Sequence, residues 1–182
     1  GELGIIKQQL KRGINCPPTS SAGRLFDAVS ALIGVRGEID YQAQAAIELE
    51  MVAEEPAPGR GGESYPFSIA AERGVREVKL AGLLAAVVDD VRNQVPVAVI
   101  SLKFHRSVAE MIAEVCRLIS RETGVGVVAL SGGVFQNRLL MRLVGSALRR
   151  RGLRVVTHRL VPCNDGGISL GQAVTAHFRS LS

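Results

Sequence analysis

Apolar residues recur every three or four positions through most of this chain, and the pattern tightens into short β-branched runs only in a few places. The spacing predicts a short helix over residues 3–12 that ends at Gly13. A loop through Cys16-Pro17-Pro18-Thr19-Ser20-Ser21 follows. A helix is predicted from about Ala22 to Ile33, with Leu25, Phe26, Val29, Leu32 and Ile33 on one face. A second amphipathic helix is predicted over Tyr41 to Glu54. Pro56-Ala57-Pro58-Gly59-Arg60-Gly61-Gly62 is a breaker cluster and reads as a flexible connection near 56–62. Tyr65 to Ala71 reads as a strand, with a turn near Gly74 and a second strand into Val78. Helices are predicted over Leu80 to Gln94 and, after Pro96, over Val97 to Thr123, where Ile100, Phe104, Val108, Met111, Ile112, Val115 and Ile119 form the apolar stripe. The last third reads as strand 125–130, helix 135–150, strand 153–157, loop and helix 166–179. That β-α-β-α order predicts a parallel α/β layer.

Composition sets bounds on this picture. At 182 residues with 47% hydrophobic content, the chain is large enough for one domain or one lobe of a larger protein. No uncharged apolar run approaches the roughly 18 residues of a membrane span, and no secretory pattern opens the chain. Gly1-Glu2-Leu3 reads as the interior of something longer. The net charge of +5 comes largely from Arg138, Arg142, Arg149, Arg150, Arg151 and Arg154. These fit a solvated helix face and its C-terminal end, where cations suit the dipole. With five Phe, two Tyr and no Trp, the chain has little with which to stack bases, which speaks against a nucleic-acid partner. Cys16, Cys116 and Cys163 are odd in number and lack metal-ligand spacing, as expected for a reduced, cytoplasmic protein.

Three segments could carry chemistry. Ser131-Gly132-Gly133-Val134-Phe135-Gln136-Asn137 leaves the run Val125–Leu130 and opens a predicted helix. Two glycines between a strand and a helix start let main-chain amides approach an anion. Asn137, expected one turn into the helix, could reach a base or sugar edge or make a helix-start hydrogen bond. Asn164-Asp165-Gly166-Gly167 is a second such turn. Its carboxylate suits a divalent cation beside a phosphate, or Asp165 is an ordinary N-cap. In Ser20-Ser21-Ala22-Gly23-Arg24-Leu25-Phe26-Asp27, Gly23 permits close approach and Asp27 could accept ribose hydroxyls; alternatively a serine caps the helix and Arg24 pairs with Asp27. His105, His158 and His177 have no ligand spacing and read as structural or surface groups, and Asp89-Asp90 as solvent-facing.

Taken together, Thr19–Ala28, Ser131–Leu140 and Asn164–Gln172, with Gln44-Ala45-Ala46-Ile47-Glu48-Leu49-Glu50, resemble the C-terminal part of the HypF family, the carbamoyltransferases of nickel–iron hydrogenase maturation. The resemblance implies one lobe of an actin-like ATPase (ribonuclease H-like) fold with added helices, over residues 1–182. It implies that Gly132, Gly133 and Asn137 hold a nucleotide, ATP or carbamoyl-adenylate, and that Gly23 and Asp27 face its ribose. It makes Asp165 a ligand of a divalent metal (Fe, Zn or Mg), and the C-terminal cysteine of HypE the acceptor of the carbamoyl group. No catalytic side chain is assigned.

Two departures from the family pattern bear on this. The family's metal-binding His-x-x-x-His pair and its carbamoyl-phosphate domains belong upstream, so the chain alone is expected not to transfer carbamoyl. The family's Tyr-Glu-Gly-Gln-Ala-Ala reads here as Tyr41-Gln42-Ala43-Gln44-Ala45-Ala46, without the glutamate and the glycine. A small-molecule O-carbamoyltransferase of the same fold and a non-catalytic interaction module stand as alternatives.

Overall fold

The computed structural model describes residues 2–53, 62–72 and 74–180. Helix α1 (Glu2–Arg12) is followed by α2 (Ala22–Leu32) and α3 (Gln44–Met51). Strands β1 (Ser68–Glu72) and β2 (Val75–Lys79) form an antiparallel pair. Then come α4 (Ala81–Arg92), the 27-residue α5 (Val97–Thr123), strand β3 (Val127–Leu130), α6 (Arg138–Arg150), strand β4 (Arg154–Thr157) and α7 (Ile168–Ser180). Short 3-10 turns over Gly133–Gln136 and Asp165–Gly167 precede α6 and α7. Apart from Gly62, the breaker cluster at 56–62 lies outside the described residues.

Helix α5 is the axis of the core. Its apolar stripe packs against α3, α4 and α6, while α2 packs on α3 and α4. Phe26, Val29, Leu49, Leu83, Val87, Ile100, Phe104, Leu140, Val144 and Leu148 are almost fully buried there. Phe26 and Phe104 meet edge to face with centroids 4.9 Å apart, a geometry that adds to their burial. Truncating one of these leucines to alanine would cost about 2–5 kcal/mol through lost burial and the cavity left behind.

The β3–α6–β4 unit confirms the expected parallel layer. Val128 pairs with Val155 and Leu130 with Thr157, and Arg154 donates its amide to the Gly126 carbonyl at 2.8 Å to start the ladder. A parallel pair needs a crossover, and α6 supplies it. Val127 and Val156 remain 40% and 46% exposed, although parallel strands are ordinarily covered on both faces. No residue of α1 or α7 is buried. Among the described residues no helix is long and apolar enough to cross a membrane.

Several predicted boundaries move, and three of the shifts have a visible cause. The helix expected from Tyr41 begins only at Gln44, because Ala43 adopts a left-handed conformation (φ 66°) that no right-handed helix can contain. Just before it, the Asp40 amide donates to the Gln44 side-chain oxygen at 2.7 Å and closes the turn. The helix expected over 135–150 is two pieces. Residues Gly133–Gln136 wind as a 3-10 turn and Asn137 is extended (φ −66°, ψ 110°), so Asn137 is the N-cap of α6 and does not lie one turn inside it. The strand expected from Tyr65 begins at Ser68, since the Tyr65 amide is taken by the Ser107 hydroxyl at 2.6 Å.

Candidate nucleotide site

The first glycine turn directly follows β3, at the C-terminal end of the parallel pair where ligands gather in open α/β sheets, and the second turn comes against it from the loop after β4. Gly132 has φ 102°, a conformation that only glycine adopts easily. Its amide donates to the Cys163 carbonyl at 2.7 Å, so one main-chain bond joins the first turn to the second. The Ser131 hydroxyl and His158 Nε2 lie 2.9 Å apart and make a second link between the segments following β3 and β4. A Cβ added at Gly132 or Gly133 would meet nothing within 4 Å. The turn is therefore open, and the amides of Gly133 and Val134 have no protein acceptor among the described residues.

The second turn is built differently. A Cβ at Gly167 would lie 2.8 Å from the Pro162 carbonyl oxygen, and one at Gly166 would lie 3.0 Å from Pro162 Cγ. These two glycines serve the packing of their own loop. The cap is Asn164, whose Oδ1 accepts from the Gly166 amide at 3.1 Å. The capping role considered for Asp165 thus falls to its neighbour, because the Asn164 side chain reaches back across the turn. Asp165 is exposed and forms no ion pair among the described residues. It can offer one hard oxygen ligand; among the described residues no group of three His, Cys, Asp or Glu could enclose a metal.

The third segment comes against the first. Helix α2 packs on the Gly133–Gln136 turn. Ser21 caps it, accepting from the Arg24 amide at 3.4 Å. Asp27 Oδ2 lies 2.6 Å from the Arg24 guanidinium, within ion-pair distance yet not aligned for a hydrogen bond. Gly23 is partly exposed, and an added Cβ there would touch only Ser21 Oγ, at 3.6 Å. Both the cap and the ion pair are formed, and they leave Asp27 Oδ1 as the oxygen open to a further partner.

The structure commits Asn137 to the protein. Its Oδ1 accepts from the Leu140 amide at 2.7 Å, and its Nδ2 lies 2.9 Å from His105 Nε2. Glu50, from the far end of α3, accepts with Oε1 from the amides of Arg138 at 2.7 Å and Leu139 at 3.1 Å. The first amides of α6, the natural anion site of a helix start, are thereby filled by Glu50 and Asn137. Any ligand anion at this turn is left with Gly133 and Val134. Glu50 and His105 were not singled out as site residues by sequence, since the first acts across 88 positions and the second lies inside a helix.

His105 is fully buried, edge-on to Phe26 and Phe104. Desolvation pushes its pKa down, against smaller upward pulls from the Ser101 carbonyl and the Glu50 charge. Asp90, read as solvent-facing, is a partner instead. It accepts from the Tyr65 hydroxyl and from Lys103 Nζ, each at 2.7 Å, while Lys103 lies 4.7 Å from the Tyr65 ring centroid. Asp89 is exposed as expected. Two open hollows, one along α7 near Gly171 and Thr175 and one near Thr157, Leu160 and Leu170, contain none of the expected site residues.

Residues 2–172 match the family described as carbamoyltransferase, Kae1-like domain, second subdomain. The chain is 35% identical to the carbamoyltransferase HypF of Synechocystis over 92% of its own length and 20% of that protein's. It is 37% identical to that of Rhizobium leguminosarum bv. viciae over 88% of this chain and 20% of the relative. A crystal structure of full-length HypF in a phosphate- and nucleotide-bound form superposes with a TM-score of 0.88 at 43% identity, covering 96% of this chain and 22% of that one. The chain thus spans about a fifth of the length of these relatives. The likeness bears out the α/β, actin-like assignment.

Proposed function

Because the chain belongs to the HypF carbamoyltransferase family, we propose that it is the nucleotide-holding C-terminal portion of a carbamoyltransferase, acting on carbamoyl-adenylate with the C-terminal cysteine of HypE as acceptor. The observation that carries this reading is the open Gly132-Gly133 turn, with its two uncommitted amides bonded through Gly132 to the loop bearing Asp165. In this reading the Gly133 and Val134 amides face the nucleotide and Asp27 Oδ1 accepts from a ribose hydroxyl. Asp165 would supply one oxygen to a divalent metal, whose other ligands would come from outside this chain. Such a metal would stabilise charge on the phosphate as it leaves.

The acceptor thiolate attacks the carbamoyl carbon, the bond from that carbon to the phosphate oxygen breaks, and AMP departs with the electron pair. No serine or cysteine nucleophile is required of this chain. Crystallisation of a relative with phosphate and nucleotide bound supports the choice of ligand class. By itself the chain binds the nucleotide through one wall only and does not transfer carbamoyl.

The test joins the chain to the remaining domains of its family and supplies carbamoyl phosphate, ATP and HypE. A carbamoyl mass gain on the HypE cysteine, lost on Gly133→Val, supports the proposal. Carbamoylation of a sugar or alcohol in place of the thiol would overturn it in favour of a small-molecule transferase. Absence of nucleotide binding by the joined protein would leave an interaction module.

A further inference from the structure

We infer that His105 is a positioning residue for the glycine turn, acting through the Asn137 side chain, and that a proton on its Nε2 releases that turn. The inference rests on the reading of Gly132-Gly133 as the nucleotide turn.

The hydrogen-bond pattern leaves a single consistent assignment of atoms. The Leu140 amide is a donor, so the Asn137 atom facing it at 2.7 Å is Oδ1. Asn137 Nδ2 must then face His105, and it donates to Nε2 at 2.9 Å. An Nε2 that accepts carries no proton, so the proton of neutral His105 is on Nδ1. There it donates to the Ser101 carbonyl at 2.8 Å. Ser101 is itself fixed, its hydroxyl donating to the Leu49 carbonyl one residue before Glu50. One chain of bonds therefore runs from α3 through α5 to the cap of α6, and Asn137 directly follows the Gly133–Gln136 turn. The Asn137 amide donates to the Val134 carbonyl at 3.2 Å, so the cap and the turn move as one piece.

A second proton on the imidazole breaks this pattern. Nε2–H would confront Nδ2–H of Asn137, donor against donor. Turning the Asn137 amide over would present Oδ1 to the imidazolium, but it would then place Nδ2 against the Leu140 amide and uncap α6. Either response loses one of the two bonds. The groups packed against the ring are Phe26 of α2, Phe104 and Ser101 of α5, and Asn137; the charged group acting on it is Glu50 of α3. Burial among two phenyl rings favours the neutral imidazole, which keeps the latch closed at neutral pH.

The separating variants are His105→Gln, which keeps an oxygen acceptor for Asn137 but cannot titrate, and His105→Phe, which fills the volume without one. The first measurement needs no ligand. Nitrogen NMR of the 182-residue chain should show His105 Nε2 unprotonated at pH 7.5. Exchange of the Leu140 amide should quicken about tenfold in His105→Phe, the scale of a lost N-cap, with far-UV circular dichroism unchanged and Gln restoring protection.

The second measurement is adenosine and ATP affinity, in the chain joined to the remaining domains, from pH 8 down to the lowest pH at which that protein stays folded. Acid should weaken binding by the wild type more than binding by His105→Gln, which carries only the titration of the ligand and the other groups. An Nε2-protonated tautomer, or normal Leu140 protection in His105→Phe, would overturn the inference, as would identical pH profiles for wild type and His105→Gln. Failure of the site reading looks different: Gly133→Val would then bind nucleotide normally while the Leu140 effects persist.

Discussion

The carboxylate of Glu50 lies 2.7 Å from the backbone amide of Arg138, capping a helix that begins 88 residues further along the chain. It also takes the Leu139 amide, so a side chain of α3 pins the start of α6 and everything attached to it. Glu50→Gln keeps an oxygen that can accept both bonds and should cost little stability. Glu50→Ala leaves both amides open and should cost about 1–2 kcal/mol, the range of a lost N-cap. Urea denaturation of the two variants checks the order; equal stabilities for Ala and wild type would show that the cap contributes nothing.

Ala43 occupies the position at which the family resemblance expects glycine, and it does so at φ 66°. A left-handed alanine costs about 1–2 kcal/mol relative to its preferred regions, while glycine is nearly indifferent. Part of that gain is offset because glycine makes the unfolded chain more flexible. Ala43→Gly should therefore raise the urea midpoint, by the equivalent of about 1 kcal/mol, with the slope of the transition unchanged. A lowered midpoint would mean that the turn before α3 is relaxed as it stands.

The two glycine turns should respond oppositely to added side chains. Open space surrounds a Cβ at Gly133, so Gly133→Val should leave the melting temperature within about 2 °C while abolishing most nucleotide affinity in the joined protein. At Gly167 a Cβ would sit 2.8 Å from the Pro162 carbonyl oxygen. Gly167→Ala should cost about 1–3 kcal/mol as the loop gives way. Thermal melts with parallel ATP titrations separate the two cases.

Asp90 confers an acid limit on stability. Burial would raise its pKa, but hydrogen bonds from Lys103 and Tyr65 together with the Lys103 charge outweigh it and hold it below the ordinary carboxylate value. A carboxylate depressed in the fold contributes stability that is complete above its unfolded pKa and lost as pH falls through the folded value. The window therefore lies at and below about pH 4. Asp90→Asn should flatten this part of the stability profile, and Tyr65→Phe should cost about 1 kcal/mol at pH 7 by removing one donor. Denaturation at stepped pH from 2.5 to 7 tests both.

Much of the architecture was legible from periodicity alone. The stripe through Ile100, Phe104, Val108 and Met111 marks a helix packed on its neighbours, and the run Val127–Leu130 followed by two glycines marks a strand entering a turn. Boundaries were harder wherever a single backbone angle or a distant donor decides them. The residue types of Tyr41-Gln42-Ala43 do not announce a left-handed alanine, which only the glycine of the family pattern signals, and Gly133–Gln136 has the composition of a helix start although it winds more tightly. The candidate turns were visible because glycine is a local signal. The groups that hold the first of them in place were not, because Glu50 and His105 act through partners between 32 and 89 positions away. Short-range patterns carry no trace of such pairs.

The bond between the Gly132 amide and the Cys163 carbonyl belongs to the peptide skeleton at both ends. Its survival is indifferent to which side chain stands at 163, so substitutions there can accumulate without severing it, and an alanine scan would pass over it in silence. Replacing a peptide link with an ester, which deletes the donor N–H at position 132, removes this bond while leaving the Ser131–His158 contact in place.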